Sequence, residues 1–242
     1  MCTVTFIPAA DKIYLTSNRD EKHWRSAALP PSVYTFPSGK ILFPKDGDAG
    51  GTWIAAHENG NAIVFLNGGR VRHTPAPPYR KSRGLILLDL IEGRTAFNSF
   101  LAVNLNNIEP FTAIIWDDGH LFECRWDGSQ KHHQELSSAK PHIWSSVTLY
   151  DEEVINRRRQ WFNSWLKKHP HPGQEEILHF HQFTGDGDQH NDLMMNRDGL
   201  VFTVSVTSMA INDQIVSMQY VDPKQQKTWQ QDLAFEKSMV GR

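Results

Sequence analysis

The first twenty-one residues constrain this chain more than any other stretch. Two β-type runs, residues 3–8 and 12–18, flank a turn at 9–11, so the chain is expected to open on a hairpin. A hairpin of that length returns Asn18, Arg19 and Asp20 to the neighbourhood of Cys2. Cys2 follows Met1 directly and is small enough to permit removal of the methionine. Once Met1 is gone, one residue carries both a thiol and a free α-amine. The amine titrates near about 7.7–8.0 and the thiol near about 8.5, so the amine can take the thiol's proton. The result is a nucleophile with its own base attached. The plainer reading is an inert second residue, with Asn18-Arg19-Asp20-Glu21 as a polar loop after an edge strand.

At 242 residues the chain is long enough for one large domain, 1–242, with a substantial core. Its 25 basic and 27 acidic residues give no excess charge that would suit nucleic acid or an anionic membrane surface. Two cysteines, Cys2 and Cys124, make no disulfide framework. No basic segment precedes a long apolar run, and no stretch approaches the ~20 apolar residues of a membrane span. The expectation is a cytoplasmic protein acting on a small molecule, with no nucleic-acid partner.

Beyond the opening hairpin, Pro30, Pro31 and Pro37 predict an irregular segment over 22–38. Short strands are expected at 40–44, 52–57 and 61–66, the last two joined by Asn59-Gly60. Residues 82–92 predict a helix so apolar that it must be covered on both sides, and 94–101 a second. Strands at 112–116 and 121–126 flank Asp117-Asp118-Gly119, and a further strand is expected at 142–149. Residues 151–168 predict the clearest helix, with Val154, Ile155, Trp161, Phe162, Trp165 and Leu166 on one stripe. A shorter helix at 175–183 and a late hairpin of 200–207 with 214–221 complete the order. That order suits several α+β arrangements.

Four segments together carry a resemblance: Met1-Cys2, Ser17-Asn18-Arg19-Asp20-Glu21, Gly51-Thr52-Trp53-Ile54-Ala55 and Leu66-Asn67-Gly68-Gly69. They resemble the NRDE family, which includes the eukaryotic transport and Golgi organisation protein 2. The layout is in turn similar to the cysteine N-terminal nucleophile (Ntn) hydrolases. The resemblance implies an α+β fold, a four-layer αββα sandwich of two antiparallel sheets. It implies Cys2 as nucleophile, Asp20 holding its amine and Asn67 donating to an oxyanion. Arg19 either swings into the site or ends the strand in solvent, because the hydrolases carry Arg-Asn-x-Asp where this chain has Ser17-Asn18-Arg19-Asp20. Two further departures stand out. Ser146 occupies the place of a family asparagine, and no basic residue falls within 204–207.

The implied function is cleavage of a linear amide by an N-terminal cysteine. The alternative is a non-catalytic carrier of a hydrophobic small molecule, lipid or haem, as the eukaryotic relatives suggest. A third is a structural protein with a dead site. No cofactor or metal is implied. His132-His133, His169, His171, His179 and His181 are expected in solvent, and Asp186, Asp188, His190 and Asp192 in a polar loop without the glycine and glutamate of a calcium loop. Cys124, in an alternating strand, is expected to be a small buried hydrophobe.

Overall fold

The computed structural model describes residues 3–235. Cys2, on which the proposed chemistry centres, lies outside the described residues, as do residues 236–242.

In chain order the strands are β1 (Thr3–Pro8), β2 (Ile13–Lys22), β3 (Leu29–Phe36), β4 (Gly39–Lys45), β5 (Ile54–His57) and β6 (Ala62–Asn67). Helices α1 (Arg83–Ile91) and α2 (Ala96–Ala102) follow, then β7 (Phe111–Asp117), β8 (His120–Trp126), β9 (Lys131–Leu136) and β10 (His142–Ser145). The chain continues through α3 (Glu152–Lys168), α4 (Gln174–Phe183), β11 (Asn196–Arg197), β12 (Val201–Ile211), β13 (Ile215–Asp222) and β14 (Lys227–Ala234). Two antiparallel sheets result, one ordered β10-β1-β2-β12-β13-β14 with β11 beside β12, the other β3 through β9 in sequence order. Helices α3 and α4 pack on the first sheet, α1 and α2 on the second, and the sheets face each other. The fold is the expected αββα sandwich of two antiparallel sheets.

The core fills the space between the sheets and continues through the second sheet to its helices, where Phe111 packs on Phe100 of α2. Val4, Phe6, Leu15, Met209 and Met218 of the first sheet join Ile41, Ile63, Phe65, Phe111 and Ile114 of the second in one buried cluster. Helix α1 belongs to the same cluster through Leu87, Leu90 and Ile91. Its Ser82 N-cap accepts from the Leu85 N–H, a contact worth about 1 kcal/mol. Each fully buried aliphatic side chain contributes ~1.5–3 kcal/mol, so packing rather than capping holds α1 in place.

Several elements differ from their sequence expectation. Residues 29–36 form β3 despite Pro30 and Pro31, because β3 is an edge strand and its pairing with β4 shifts register between Leu29 and Ser32. The strand expected at 142–149 stops at Ser145, where Ser146 accepts from the Leu149 and Tyr150 N–H groups in a turn. Most important for the site, β2 runs on to Lys22. Asn18-Arg19-Asp20-Glu21 is therefore not a loop after an edge strand but part of a strand hydrogen-bonded between β1 and β12.

Candidate functional site

Alternation along β2 sends consecutive motif residues to opposite faces. The register sets Thr3 beside Asn18 on one side, and Thr203 beside Asp20 and Ser205 beside Arg19 on the other, with a bulge between Thr203 and Ser205.

Asn18 and Asp20 face the helices. The Asn18 amide donates to the carbonyls of His181 (3.1 Å) and Leu193 (2.9 Å), and its oxygen pairs with His181 Nδ1. His181 Nε2 meets Thr5 Oγ1 at 2.8 Å. His181 is fully buried, which lowers its pKa to about 3, with the Arg158 charge adding to the effect. It is thus not the solvated side chain expected from the sequence. Asp20 accepts from Tyr150 Oη (2.9 Å) and Thr203 Oγ1 (2.5 Å). The Arg158 guanidinium stacks on Tyr150 at 3.7 Å, and Arg197 lies 5.3 Å from the same ring. Arg158 is itself buried, donating to Thr3 Oγ1 and to the carbonyls of Asn191 and Asp192. Arg158 was not singled out from the sequence, although Val154, Arg158 and Phe162 repeat every four residues on the buried face of α3.

Arg19 faces the second sheet. Its Nη2 donates to Asp46 Oδ2 at 2.6 Å and its guanidinium stacks on Trp53 at 4.7 Å. Asp46 also takes Arg25 Nη2 and the N–H groups of Asp48 and Ala49. Burial alone would raise the Asp46 pKa. The Ala49 and Asp48 N–H groups and the two guanidiniums outweigh it and hold the carboxyl below its ordinary value. Arg19 is thus neither in solvent nor on the same face as Asp20.

Arg19 and Asn67 share the wall of a cavity of about 800 Å³, whereas Asp20 is not among its lining residues. Asn67 ends β6, and its carbonyl accepts from Ser146 Oγ at 2.8 Å. Its side-chain amide makes no hydrogen bond to the described residues. The serine standing for the family asparagine therefore braces the Asn67 backbone. The next residue, Gly68, has φ +87°, and a Cβ there would lie 2.7 Å from Val147 and Thr148, so only glycine lets the chain turn away against that loop. Gly51 serves the opposite wall: a Cβ would lie 2.4 Å from the Gly84 carbonyl carbon at the start of α1. Both glycine-bearing motifs are thus close-approach points that shape one cavity.

The wall is charged. Arg19, Lys22, Arg25, Arg72, Lys81 and Arg83 stand against the carboxylates Glu21, Asp46 and Glu109. Burial lowers the Arg83 pKa, opposed chiefly by Glu109 at 3.1 Å. No basic residue falls within 204–207, and the guanidiniums of the cavity wall come from other elements.

Elsewhere, Asp186 and Asp188 pair with Arg157 in the polar loop. Among the described residues no group of three or more His, Cys, Asp and Glu is arranged to hold a metal ion, and no helix is long and apolar enough to cross a membrane. Cys124 is buried, as expected, and burial, then the Glu123 charge, pushes its thiol pKa far up.

The fold is shared with solved N-terminal nucleophile hydrolases. An orthologue of N-acylethanolamine-hydrolyzing acid amidase from Caenorhabditis elegans superposes with a TM-score of 0.60 at 12% identity, over 86% of this chain and 92% of that one. Conjugated bile acid hydrolase from Clostridium perfringens superposes with a TM-score of 0.58 at 11% identity. It does so both as a cysteine-to-alanine mutant (100% of each chain) and as an arginine-to-leucine variant (99% of this chain, 100% of that one). The chain belongs to the Transport and Golgi organisation 2 family, whose model matches residues 1–227. No curated protein matches it by sequence.

Proposed function

We propose that the protein hydrolyses a linear amide, with Cys2 as nucleophile once Met1 is removed. The Cys2 sulfur attacks the amide carbonyl while its own α-amine takes the thiol proton. The same amine returns that proton to the departing nitrogen, leaving a thioester. Water then attacks the thioester, its proton passing through the amine to the thiol, and the free acid departs.

The observation that carries this reading is the shared cavity wall of Arg19 and Asn67, at the end of the strands to which Cys2 is bonded through Thr3. Among the described residues the Asn67 amide N–H groups have no acceptor, and they are the donors a tetrahedral oxyanion needs. Asp20 is suited to hold the amine from the other side. Among the described residues its two oxygens each take one side-chain donor, Tyr150 or Thr203, and a carboxylate accepts about four. The fold shared with an acid amidase and a conjugated bile acid hydrolase supports the reaction class. The carrier reading asks for a mainly apolar cavity, and the charged wall fits it poorly.

The test is turnover by protein whose intact mass places Cys2 at the N-terminus, against a panel of N-acyl amides followed by mass spectrometry. The expected result is release of acid and amine by the wild type, abolished in Cys2→Ala and reduced roughly 10²-fold or more in Asn67→Ala. A correctly processed protein that cleaves no member of the panel, or a Cys2→Ala variant as active as the wild type, sinks the proposal.

A further inference from the structure

We propose that the cavity beside Arg19 and Asn67 is a binding site for an oxyanion, so that its occupant is a small molecule bearing a carboxylate, sulfonate or phosphate. Its consequence for substrate, that the cleaved amide carries such a group on one side of the scissile bond, rests on the hydrolase reading.

The cavity wall holds polar atoms without partners. Among the described residues, eight buried side-chain nitrogen and oxygen atoms have no hydrogen-bond partner. Three of them, Arg25 Nε, Trp53 Nε1 and His73 Nδ1, belong to residues lining this one cavity, and all three are nitrogens. Every orphaned oxygen lies on residues elsewhere. Trp53 is 3% exposed and its indole nitrogen can only donate. Arg25 Nε lies 3.3 Å from Asp48 and 3.8 Å from Glu21 without hydrogen-bond alignment to either. His73 Nε2 lies 3.3 Å from Glu109, and Nδ1 donates or accepts according to the tautomer. Buried donors without acceptors are costly, and the Arg25 and Trp53 N–H groups on one wall call for a ligand that brings oxygens.

Charge points the same way. The wall carries twice as many Arg and Lys side chains as carboxylates, and Arg72 has no ion-pair partner among the described residues. Ser82, Arg83 and Gly84 also line the cavity, so α1 presents its first turn there. The N–H groups of Arg83 and Gly84 have no carbonyl one turn earlier within the helix, and the helix dipole adds partial positive charge. A cavity of about 800 Å³ has room for an anionic group together with an acyl chain.

Calorimetry on Cys2→Ala protein, in which the proposed turnover is blocked, separates binding from chemistry. The probes are N-hexanoylglycine and N-hexanoylglycinamide, the same amide with and without a carboxylate, and inorganic phosphate as a competitor. The acid is expected to bind roughly tenfold or more tighter than the neutral amide, with the preference shrinking as salt rises. Phosphate is expected to displace it, and the ratio of the two affinities assigns which oxyanion the site prefers. Arg72→Gln, at an exposed position, and Trp53→Phe, which keeps an aromatic side chain and removes the N–H, are each expected to weaken the acid several-fold. Equal binding of acid and amide, no binding of either, or full affinity in both variants overturns the site. If the acid binds but wild-type protein cleaves nothing, the hydrolase reading fails and the site stands. If neutral amides are cleaved as fast as acidic ones, the site fails and the hydrolase reading stands.

Discussion

Asn18, Arg19 and Asp20 are neighbours in sequence and belong to two different environments. Asn18 and Asp20 are built into a buried hydrogen-bond network under the helices, and Arg19 into the cavity wall. The sequence shows that these residues sit together at the end of a hairpin. It hides the split, because that depends on the strand continuing through them. The network has a titratable member, His181, with a measurable consequence. Its folded pKa, about 3, lies below the ordinary 6.5, so the unfolded chain takes up the proton first. Its share of stability is therefore complete above pH 6.5 and is lost as pH falls toward 3. Buried carboxylates such as Asp46, lowered from 3.8, lose their share at more acidic pH, so His181 supplies most of the loss from about 6 to 4, with Glu123, lowered from 4.5, adding to it near the lower end. Thermal melts across that range should fall by about 3 kcal/mol, on the order of 10 °C. His181→Gln should begin less stable and melt at nearly constant temperature over the same range. An unchanged slope in the variant would assign the loss to other groups.

At the scale of elements, the sequence was legible where burial is strong. The interior strands β1, β6, β7, β8 and β12, and the helices α1 and α3, carry their apolar periods openly. Apart from the extension of interior β2 to Lys22, the main missed or misjudged elements lie at sheet edges. β9 and β14 are the last strands of their sheets, and their sequences, Lys131–Leu136 and Lys227–Ala234, are too polar to alternate. β3 hides behind two prolines that an edge tolerates, and β10 is cut short by the Ser146 turn. The cavity was illegible for another reason. Its walls come from β2, the 46–53 loop, the 72–84 segment and the loop after β10, which no local period relates. The glycines left the clearest trace. Gly51 meets the start of α1 backbone to backbone, so neither side can yield by changing a rotamer. Gly51→Ala should therefore displace α1 and cost ~1–3 kcal/mol in urea denaturation. A variant with the wild-type midpoint and slope would show that the approach is looser than 2.4 Å.

At the scale of the whole molecule the main core cluster draws on both sheets and on α1, with Trp144 of β10 bonded across to Glu123 of β8 at 2.6 Å. A smaller cluster with Phe162, Ile177 and Phe180 holds α3 and α4 to the first sheet. Cys124 sits inside the main cluster on β8, wholly unexposed, next to the edge strand β9. Its position makes it a reporter on how the sandwich comes apart. If the sheets separate only together, the Cys124 thiol meets solvent only on global unfolding. If β9 can peel away alone, the thiol is reached through a smaller opening. Cys124 shares the face of β8 that carries Phe122, which stacks on Phe97 of α2, so the helix layer covers it and losing β9 alone leaves that cover in place. Alkylation of Cys124 is therefore expected to require global unfolding. In a Cys2→Ala chain it is the only thiol, so the measurement is unambiguous. Iodoacetamide labelling under conditions where reclosing outpaces reaction gives an opening free energy. That value should equal the stability from urea denaturation, and should fall with urea along the same slope. An opening free energy several kcal/mol smaller, with a shallow urea dependence, would show that β8 and β9 open as a separate unit. In the Cys2-containing protein, by contrast, the proposed nucleophile should label at native rates, since a thiol beside its own ammonium is pushed toward thiolate.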